Sequence, residues 1–157
     1  MQITYGDIYS QEELPLAEIF EEYGFKKLKI NKPDVSDDDN YKYYKQYIVE
    51  YDLGEIPEDL EERVTKFPQA LCDSIIYNYT ATEIRALRDE LLAQSDKYMI
   101  FDRLGLGDST TFVSFLAKLK SVLTGDIANY RQALRDITKQ DGFPYNVKWP
   151  DKPDDIK

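Results

Sequence analysis

The chain has 157 residues, of which 42 % are hydrophobic and 13 % aromatic, and its 20 basic and 30 acidic side chains give a formal net charge of -10. This length fits one ordinary domain or two small subdomains, and the apolar content is that of a folded protein. The acidic excess argues against nucleic acid and anionic membranes as partners. Because the chain has no histidine and a single cysteine, it lacks the commonest general base and zinc ligand and cannot form an intramolecular disulfide. We therefore predict no catalytic residue, no metal and no cofactor.

The first residues show no basic region followed by an apolar run, so no signal peptide is predicted. No stretch approaches the roughly 20 apolar residues of a membrane span. Basic residues cluster only at Lys26, Lys27, Lys29 and Lys32, too few for a duplex footprint. The sequence is thus that of a soluble protein made in a cytoplasm, with no nucleic-acid or membrane partner.

Residues 1–79 are predicted to form an N-terminal α+β region with a small antiparallel sheet and short helices. The first element is a short amphipathic helix over about residues 14–23, with Pro15 in its first turn and Gly24 as its stop. Alternation of Leu28 and Ile30 with lysines then predicts a strand that ends in a turn at Asn31-Lys32-Pro33. The acidic run Asp34 to Asn40 is predicted to be a solvated loop and lacks the glycine and distal glutamate of a calcium-binding loop.

A tyrosine-rich segment follows and predicts the longest strand, pairing antiparallel with the Leu28 strand across the acidic loop. Its apolar and aromatic positions are Tyr43, Tyr47, Ile48, Val49, Tyr51 and Leu53. Such a strand can stack nucleic-acid bases, but its acidic surroundings favour a sheet face or a protein-contact surface. A short exposed helix is predicted over Pro57 to Lys66, and Pro68 to Tyr79 fits a helix somewhat better than a strand. Cys72 lies between apolar neighbours and is predicted to be a buried small hydrophobe.

The C-terminal half, residues 80–157, is predicted to be helical and to form a helical hairpin. Thr82 is a candidate cap for a helix that fades near Ser95-Asp96; its apolar stripe is Ile84, Leu87, Leu91 and Leu92. The run Tyr98 to Phe101 must pack inward or against a partner. Gly105 to Ser109 is predicted to be a loop without the lysine of a phosphate-binding motif.

Ser109 or Thr110 is expected to cap the next helix, whose apolar stripe is Phe112, Phe115, Leu116, Leu119 and Leu123. Gly125 ends that helix and Asp126 caps the last one, which Gly142 closes. The last helix has an apolar side formed by Ile127, Tyr130, Leu134 and Ile137 and a basic ridge formed by Arg131, Arg135 and Lys139. Prolines 144, 150 and 153 keep the remaining segment extended, as an arm that carries the only tryptophan, Trp149.

Two blocks of this half resemble the tailed-phage tail assembly chaperone family. The first is the helix Arg88-Asp89-Glu90-Leu91-Leu92-Ala93-Gln94-Ser95-Asp96; the second is Tyr130-Arg131-Gln132-Ala133-Leu134-Arg135-Asp136-Ile137-Thr138, continued by Gly142-Phe143-Pro144, Val147, Trp149-Pro150 and Lys152-Pro153. A similar Trp-Pro ending occurs in phage tail fibre assembly proteins. The sequence departs from the family where Lys97-Tyr98 replaces a tryptophan and where Ala128-Asn129 replaces an aromatic residue. The resemblance covers about half of the chain, and in residues 1–79 we identify no resemblance to a family.

The resemblance implies phage origin and a non-enzymatic assembly chaperone that binds a tail or tail fibre protein in the host cytoplasm. It leaves open a structural component that stays in the virion tail, such as a fibre adaptor or a tail or baseplate accessory subunit, and oligomerisation there. An enzyme is the least favoured alternative. On the chaperone hypothesis, the arginines pair with carboxylates of the partner or of the first helical block, and the proline-stiffened arm docks in a groove. The residues expected to bind the partner are Arg131, Arg135, Phe143, Pro144, Val147, Trp149, Pro150 and Pro153. For Trp149 the residues equally allow packing against the chain's own helices.

Overall fold

The computed structural model describes residues 1–35, 40–52, 54–99, 111–154 and 156. The chain forms two compact units, Met1–Tyr79 and Thr80–Lys157. The first contains an antiparallel sheet with helices and the second contains helices, which confirms the predicted α+β class. Several predictions lie wholly or partly outside the described residues: the centre of the acidic loop, Leu53, the end of the Tyr98 to Phe101 run, the loop Gly105 to Ser109 and the cap at Ser109 or Thr110.

Across the described ranges, the sheet of the first unit has four strands in the order β1-β4-β3-β2. They are β1 (Gln2–Ser10), β2 (Ala17–Glu22), β3 (Phe25–Asp34) and β4 (Lys42–Glu50). Every neighbouring pair is antiparallel, and Leu28 of β3 lies opposite Val49 of β4. The predicted pairing of these two strands is therefore confirmed, whereas β1 was not predicted.

The helix predicted for residues 14–23 is wrong, because this segment contributes β2, which forms a hairpin with β3. Glu22 lies opposite Phe25, and the two residues between them have positive φ, 51° at Tyr23 and 79° at Gly24. Two residues with positive φ make the tight turn that matches the twist of a hairpin. Gly24 thus serves a strand turn instead of a helix end.

The turn predicted at Asn31-Lys32-Pro33 is also wrong, because β3 continues through it to Asp34. Asn31 is fully buried, and its amide donates to Pro15 O at 2.7 Å and accepts from Gln46 Nε2 at 2.8 Å. Its backbone N–H donates to Leu16 O at 2.9 Å. A satisfied buried amide therefore fixes the connection from β1 to β2, which must cross from one edge of the sheet to the other.

One face of the sheet packs under α1 (Leu60–Lys66) and the first part of α2 (Pro68–Asp96). The predicted helices at 57–66 and 68–79 are thus confirmed, the first starting three residues later. Their core consists of Ala17, Leu28, Ile30, Tyr47, Val49, Leu60, Leu71, Cys72, Ile75 and Ile76. Cys72 is buried, as predicted, and desolvation raises the pKa of its thiol.

The second unit contains the rest of α2, then α3 (Phe112–Thr124), α4 (Asp126–Arg135) and a 3-10 turn (Ile137–Lys139). Thr82 caps no helix, because α2 runs without interruption from Pro68, although it ends at Asp96 near the predicted point. Gly125 ends α3 as predicted and is also the N-cap of α4, so Asp126 is the first helical residue instead of the cap. Gly142 does not close the helix, which ends seven residues earlier at Arg135.

Candidate partner-binding site

The second unit closes a core of its own between α2, α4 and the C-terminal segment. Tyr130, Leu134, Ile137 and Ile156 are buried at its centre. Three of these four lie on α4 and the turn after it, on the apolar side that the sequence predicted. Around them pack partly buried side chains: Ile84, Leu91, Leu92, Tyr98, Ile127, Phe143, Val147 and Trp149.

Arg131 joins α4 to the end of α2. Its guanidinium donates to Leu92 O at 3.0 Å and to Ser95 Oγ, and it forms an ion pair with Asp96 Oδ1 at 2.7 Å. The side chain of Arg131 is 13 % exposed. Leu92 and Ser95 lie near the C-terminal end of α2, where the helix dipole favours a cation. The planar fork of arginine can satisfy several of these acceptors at once.

This contact joins the two blocks of sequence that carry the resemblance. Ser95 and Asp96 end the first block, and Arg131 is the second residue of the other block. The basic ridge predicted for α4 is therefore divided, since Arg131 turns toward α2 while Arg135 and Lys139 are exposed. The sequence left two partners open for Arg131, a carboxylate of another protein or one of the first helical block. In the structure Arg131 pairs with Asp96 of the first helical block.

The C-terminal segment is fastened to the turn after α4. The Gln140 side chain donates from Nε2 to Lys148 O and accepts from Lys148 N, both at 2.8 Å. Asn146 N donates to Gly142 O at 2.7 Å, and a Cβ at Gly142 would overlap the carbonyl oxygen of Asn146. Only glycine fits this close approach. The segment is thereby held where Trp149 packs against the core.

Most of the predicted partner-binding residues belong to this internal packing. Pro144 is buried, Phe143, Val147 and Trp149 are half-buried, and the guanidinium of Arg85 lies 5.4 Å from the centre of the Phe143 ring. Arg135 is exposed. Pro150 and Pro153 line an open groove of about 650 Å³ along α4, together with Asp126, Asn129, Tyr130, Ala133, Asp151, Lys152 and Asp154. Partner contact through these residues stays a prediction.

The helix α3 exposes large apolar side chains, a feature that the sequence analysis did not predict. The fractional exposures are 74 % at Phe112, 76 % at Val113, 45 % at Leu116 and 63 % at Leu123, and no residue of α3 is buried. Phe112, Leu116 and Leu123 are spaced so that they follow one line along the helix, over about 16 Å. We call these three residues and Val113 the α3 apolar face.

The helix itself is well specified despite its exposure. Thr111 Oγ1 accepts from Ser114 N and Ser114 Oγ accepts from Thr111 N, both at 3.2 Å, which is a reciprocal capping box. The cap is thus Thr111, whereas the predicted Ser109 and Thr110 lie outside the described residues. Phe115, Leu119 and Val122 form the adjoining half-buried side. The two apolar sides of α3 therefore differ in burial, and the α3 apolar face is the more exposed of the two.

No cluster of three or more cysteine, aspartate or glutamate side chains in the described ranges could hold a metal ion. No helix among the described residues is long and apolar enough to cross a membrane.

The second unit is therefore a small helical module that combines a self-contained core with an exposed apolar helix. Residues 81–154 match the family model described as phage tail assembly chaperone protein. This match confirms the resemblance that the sequence shows in its C-terminal half. No curated protein and no solved structure gives a significant match to the chain.

Proposed function

We propose that this protein is a non-enzymatic chaperone of phage tail assembly that shields an apolar segment of a tail protein, in particular a tail fibre protein, with its α3 apolar face. It acts in the host cytoplasm while tails are built. The observation that carries the proposal is the exposure of Phe112, Leu116 and Leu123 within the half of the chain that matches the family.

An apolar face of this kind suits a chaperone. Contiguous exposed apolar side chains on a folded protein are typical of protein-binding surfaces. An amphipathic helix can cover an apolar groove or pair with an apolar helix through residues at steps of three and four. The acidic excess of the whole chain, -10, would keep such a complex in solution by repulsion between complexes.

The test compares how well two variants bind tail proteins. Each variant carries one charge substitution, and the two substitutions lie on opposite sides of α3. Leu116→Glu puts a carboxylate in the centre of the α3 apolar face. Ser121→Glu adds the same charge on the other side of the same helix, where the side chain is also exposed. Each variant would be co-expressed with tail and tail fibre proteins from the same phage genome, and their solubility and co-purification would be compared with those of the unsubstituted protein.

We expect Leu116→Glu to lower affinity for the tail protein by about 2 kcal/mol or more, because burying an unpaired charge is costly at a packed contact. Ser121→Glu should bind normally. Equal binding by both variants would show that α3 is not the contact. The candidate contacts would then be the exposed Arg135 and the groove residues Pro150 and Pro153.

The alternative function is a subunit that remains in the particle. Mass spectrometry of purified virions distinguishes the two. A chaperone is expected to be absent or substoichiometric there, whereas a fibre adaptor or a tail or baseplate accessory subunit would be present at the symmetric copy number of its neighbours.

A further inference from the structure

The strand β1 lies at an edge of the sheet, in the unit that is outside the residues matched by the family model. Its nine residues pair with β4 on one side only. No backbone hydrogen bond from β1 to anything but β4 occurs among the described residues. The central residues Thr4, Tyr5, Gly6 and Asp7 are all exposed. A free edge of this length offers a row of backbone donors and acceptors to another strand.

The two edges of the sheet differ in how they are protected. β2, at the other edge, has only six residues, and three of them are glutamates. Short charged edge strands are a common protection against unwanted pairing. In contrast, β1 contains no proline and no lysine, and its single charged residue is Asp7. The sequence of β1 therefore suits a strand that becomes paired.

The composition of β1 favours a second copy of itself as the neighbour. For two antiparallel copies related by a twofold axis normal to the sheet, facing residues must have numbers with a constant even sum. The sum of 12 places Gly6 opposite Gly6 of the other copy and pairs all nine residues. Tyr5 then faces Asp7, Ile3 faces Tyr9 and Thr4 faces Ile8.

The neighbouring registers are worse. A sum of 14 sets Asp7 directly opposite Asp7, which is a repulsive cross-strand pair. A sum of 10 leaves fewer residues paired. In the register centred on Gly6, Tyr5 of one copy faces Asp7 of the other. Within one chain the Tyr5 hydroxyl already donates to Asp7 Oδ1 at 2.7 Å, so the two side chains are compatible neighbours. The Tyr43 hydroxyl donates to the same oxygen at 2.8 Å, so this carboxylate is an established acceptor for phenols.

We propose that the protein forms a twofold dimer through β1, in which two sheets join edge to edge around Gly6. The helices of both copies then lie on the same side of the continuous sheet, since Ile3, Tyr5 and Tyr9 share the face that packs under α2. Gly6 lies on the twofold axis, at the centre of the paired residues.

The first test uses two substitutions at Gly6, where an added Cβ meets no atom within 4 Å. Gly6→Lys places two ammonium groups opposite each other across the axis, and we expect it to weaken the dimer about tenfold or more. Gly6→Thr is the matched control, because threonine suits a strand and faces threonine favourably. The dimer should persist in that variant. Light scattering coupled to gel filtration would measure the mass against 18.4 kDa for one chain.

The second test fixes the register by disulfide formation. In Gly6→Cys the two facing Cα atoms would lie about 4.5 to 5.5 Å apart, within the range that a disulfide spans. We expect rapid oxidation to a covalent dimer. In Gln2→Cys, on the same strand, the two sulfurs would be separated by eight residues, about 27 Å, and should not crosslink. Cys72 is buried in both variants.

A wild-type protein that stays monomeric up to high micromolar concentration would overturn the proposal. A dimer that survives Gly6→Lys and does not crosslink through Gly6→Cys would also overturn it, and would place the interface elsewhere. If that dimer were lost in Leu116→Glu, the interface would be the α3 apolar face. If β1 instead receives a strand from a tail protein, wild type alone would be monomeric and Gly6→Lys would weaken capture of that protein.

Discussion

At the scale of single residues, Arg131 makes the strongest prediction for stability. Its guanidinium satisfies Leu92 O and Ser95 Oγ, and the side chain is 13 % exposed. Removing it would leave Ser95 Oγ, on a fully buried residue, without its donor, while Leu92 O would still accept from Ser95 Oγ. We expect Arg131→Ala to lower the free energy of unfolding by about 3 kcal/mol. Urea denaturation followed by circular dichroism would measure the change.

Two further variants separate this effect from charge alone. Arg131→Lys keeps the charge but lacks the planar fork, so it should recover only part of the loss. Arg135→Ala removes an exposed arginine one turn further along α4 and should change the stability by no more than about 0.5 kcal/mol. If Arg131→Ala proved as stable as Arg135→Ala, the contact between the two sequence blocks would not be a source of stability.

At the scale of elements, the hairpin of β2 and β3 shows what a local pattern cannot decide. Ile19, Phe20 and Gly24 fit both an amphipathic helix with a glycine stop and a strand followed by a turn. The choice depends on pairing with β3, where Ile19 lies opposite Leu28. Such long-range pairing overrides local propensity. The strand β1 escaped prediction for a related reason, because Gly6 and Asp7 interrupt its apolar alternation.

The helices of the second unit were predicted more successfully, since their apolar stripes repeat at three and four residues over several turns. The break predicted at Thr82 is instructive. The apolar residues up to Tyr79 pack in the core of the first unit, and those from Ile84 onward pack in the core of the second. The two sets do not form one continuous stripe at steps of three and four residues. The sequence pattern therefore predicted two helices where the structure has one. The sequence also predicted the stripe of α3, but its exposure depends on which other elements are near it, and no local pattern contains that information.

The C-terminal segment yields a prediction that distinguishes packing from partner contact. Trp149 is half-buried against the core of the second unit. We expect Trp149→Ala to lower the free energy of unfolding by about 2 kcal/mol, less than for a fully buried tryptophan. Thermal unfolding would measure this, with Tyr145→Ala, an exposed aromatic residue of the same segment, as a control with a smaller loss. An unchanged melting temperature together with weaker capture of the tail protein would instead make Trp149 an anchor for the partner.

At the scale of the whole molecule, the two proposed surfaces lie in different units. The β1 edge belongs to Met1–Tyr79, and the α3 apolar face belongs to Thr80–Lys157. If both proposals hold, dimerisation and client binding are separable. The Leu116→Glu variant should then fail to bind the tail protein, the client, but remain a dimer. The Gly6→Lys variant should be a monomer whose α3 binds the client in solution with unchanged affinity.

A dimer would nevertheless gain from carrying two client sites. A dimer with two binding sites dissociates slowly from a surface that is densely coated with the client. The reason is that, once one site is bound, the second site meets another client molecule at a high effective concentration. We therefore expect Gly6→Lys to dissociate faster than the wild type from a densely coated sensor and at the same rate from a sparsely coated one. Gly6→Thr should match the wild type on both. Equal release of Gly6→Lys and Gly6→Thr from the dense surface would mean that the two units do not cooperate in holding a client.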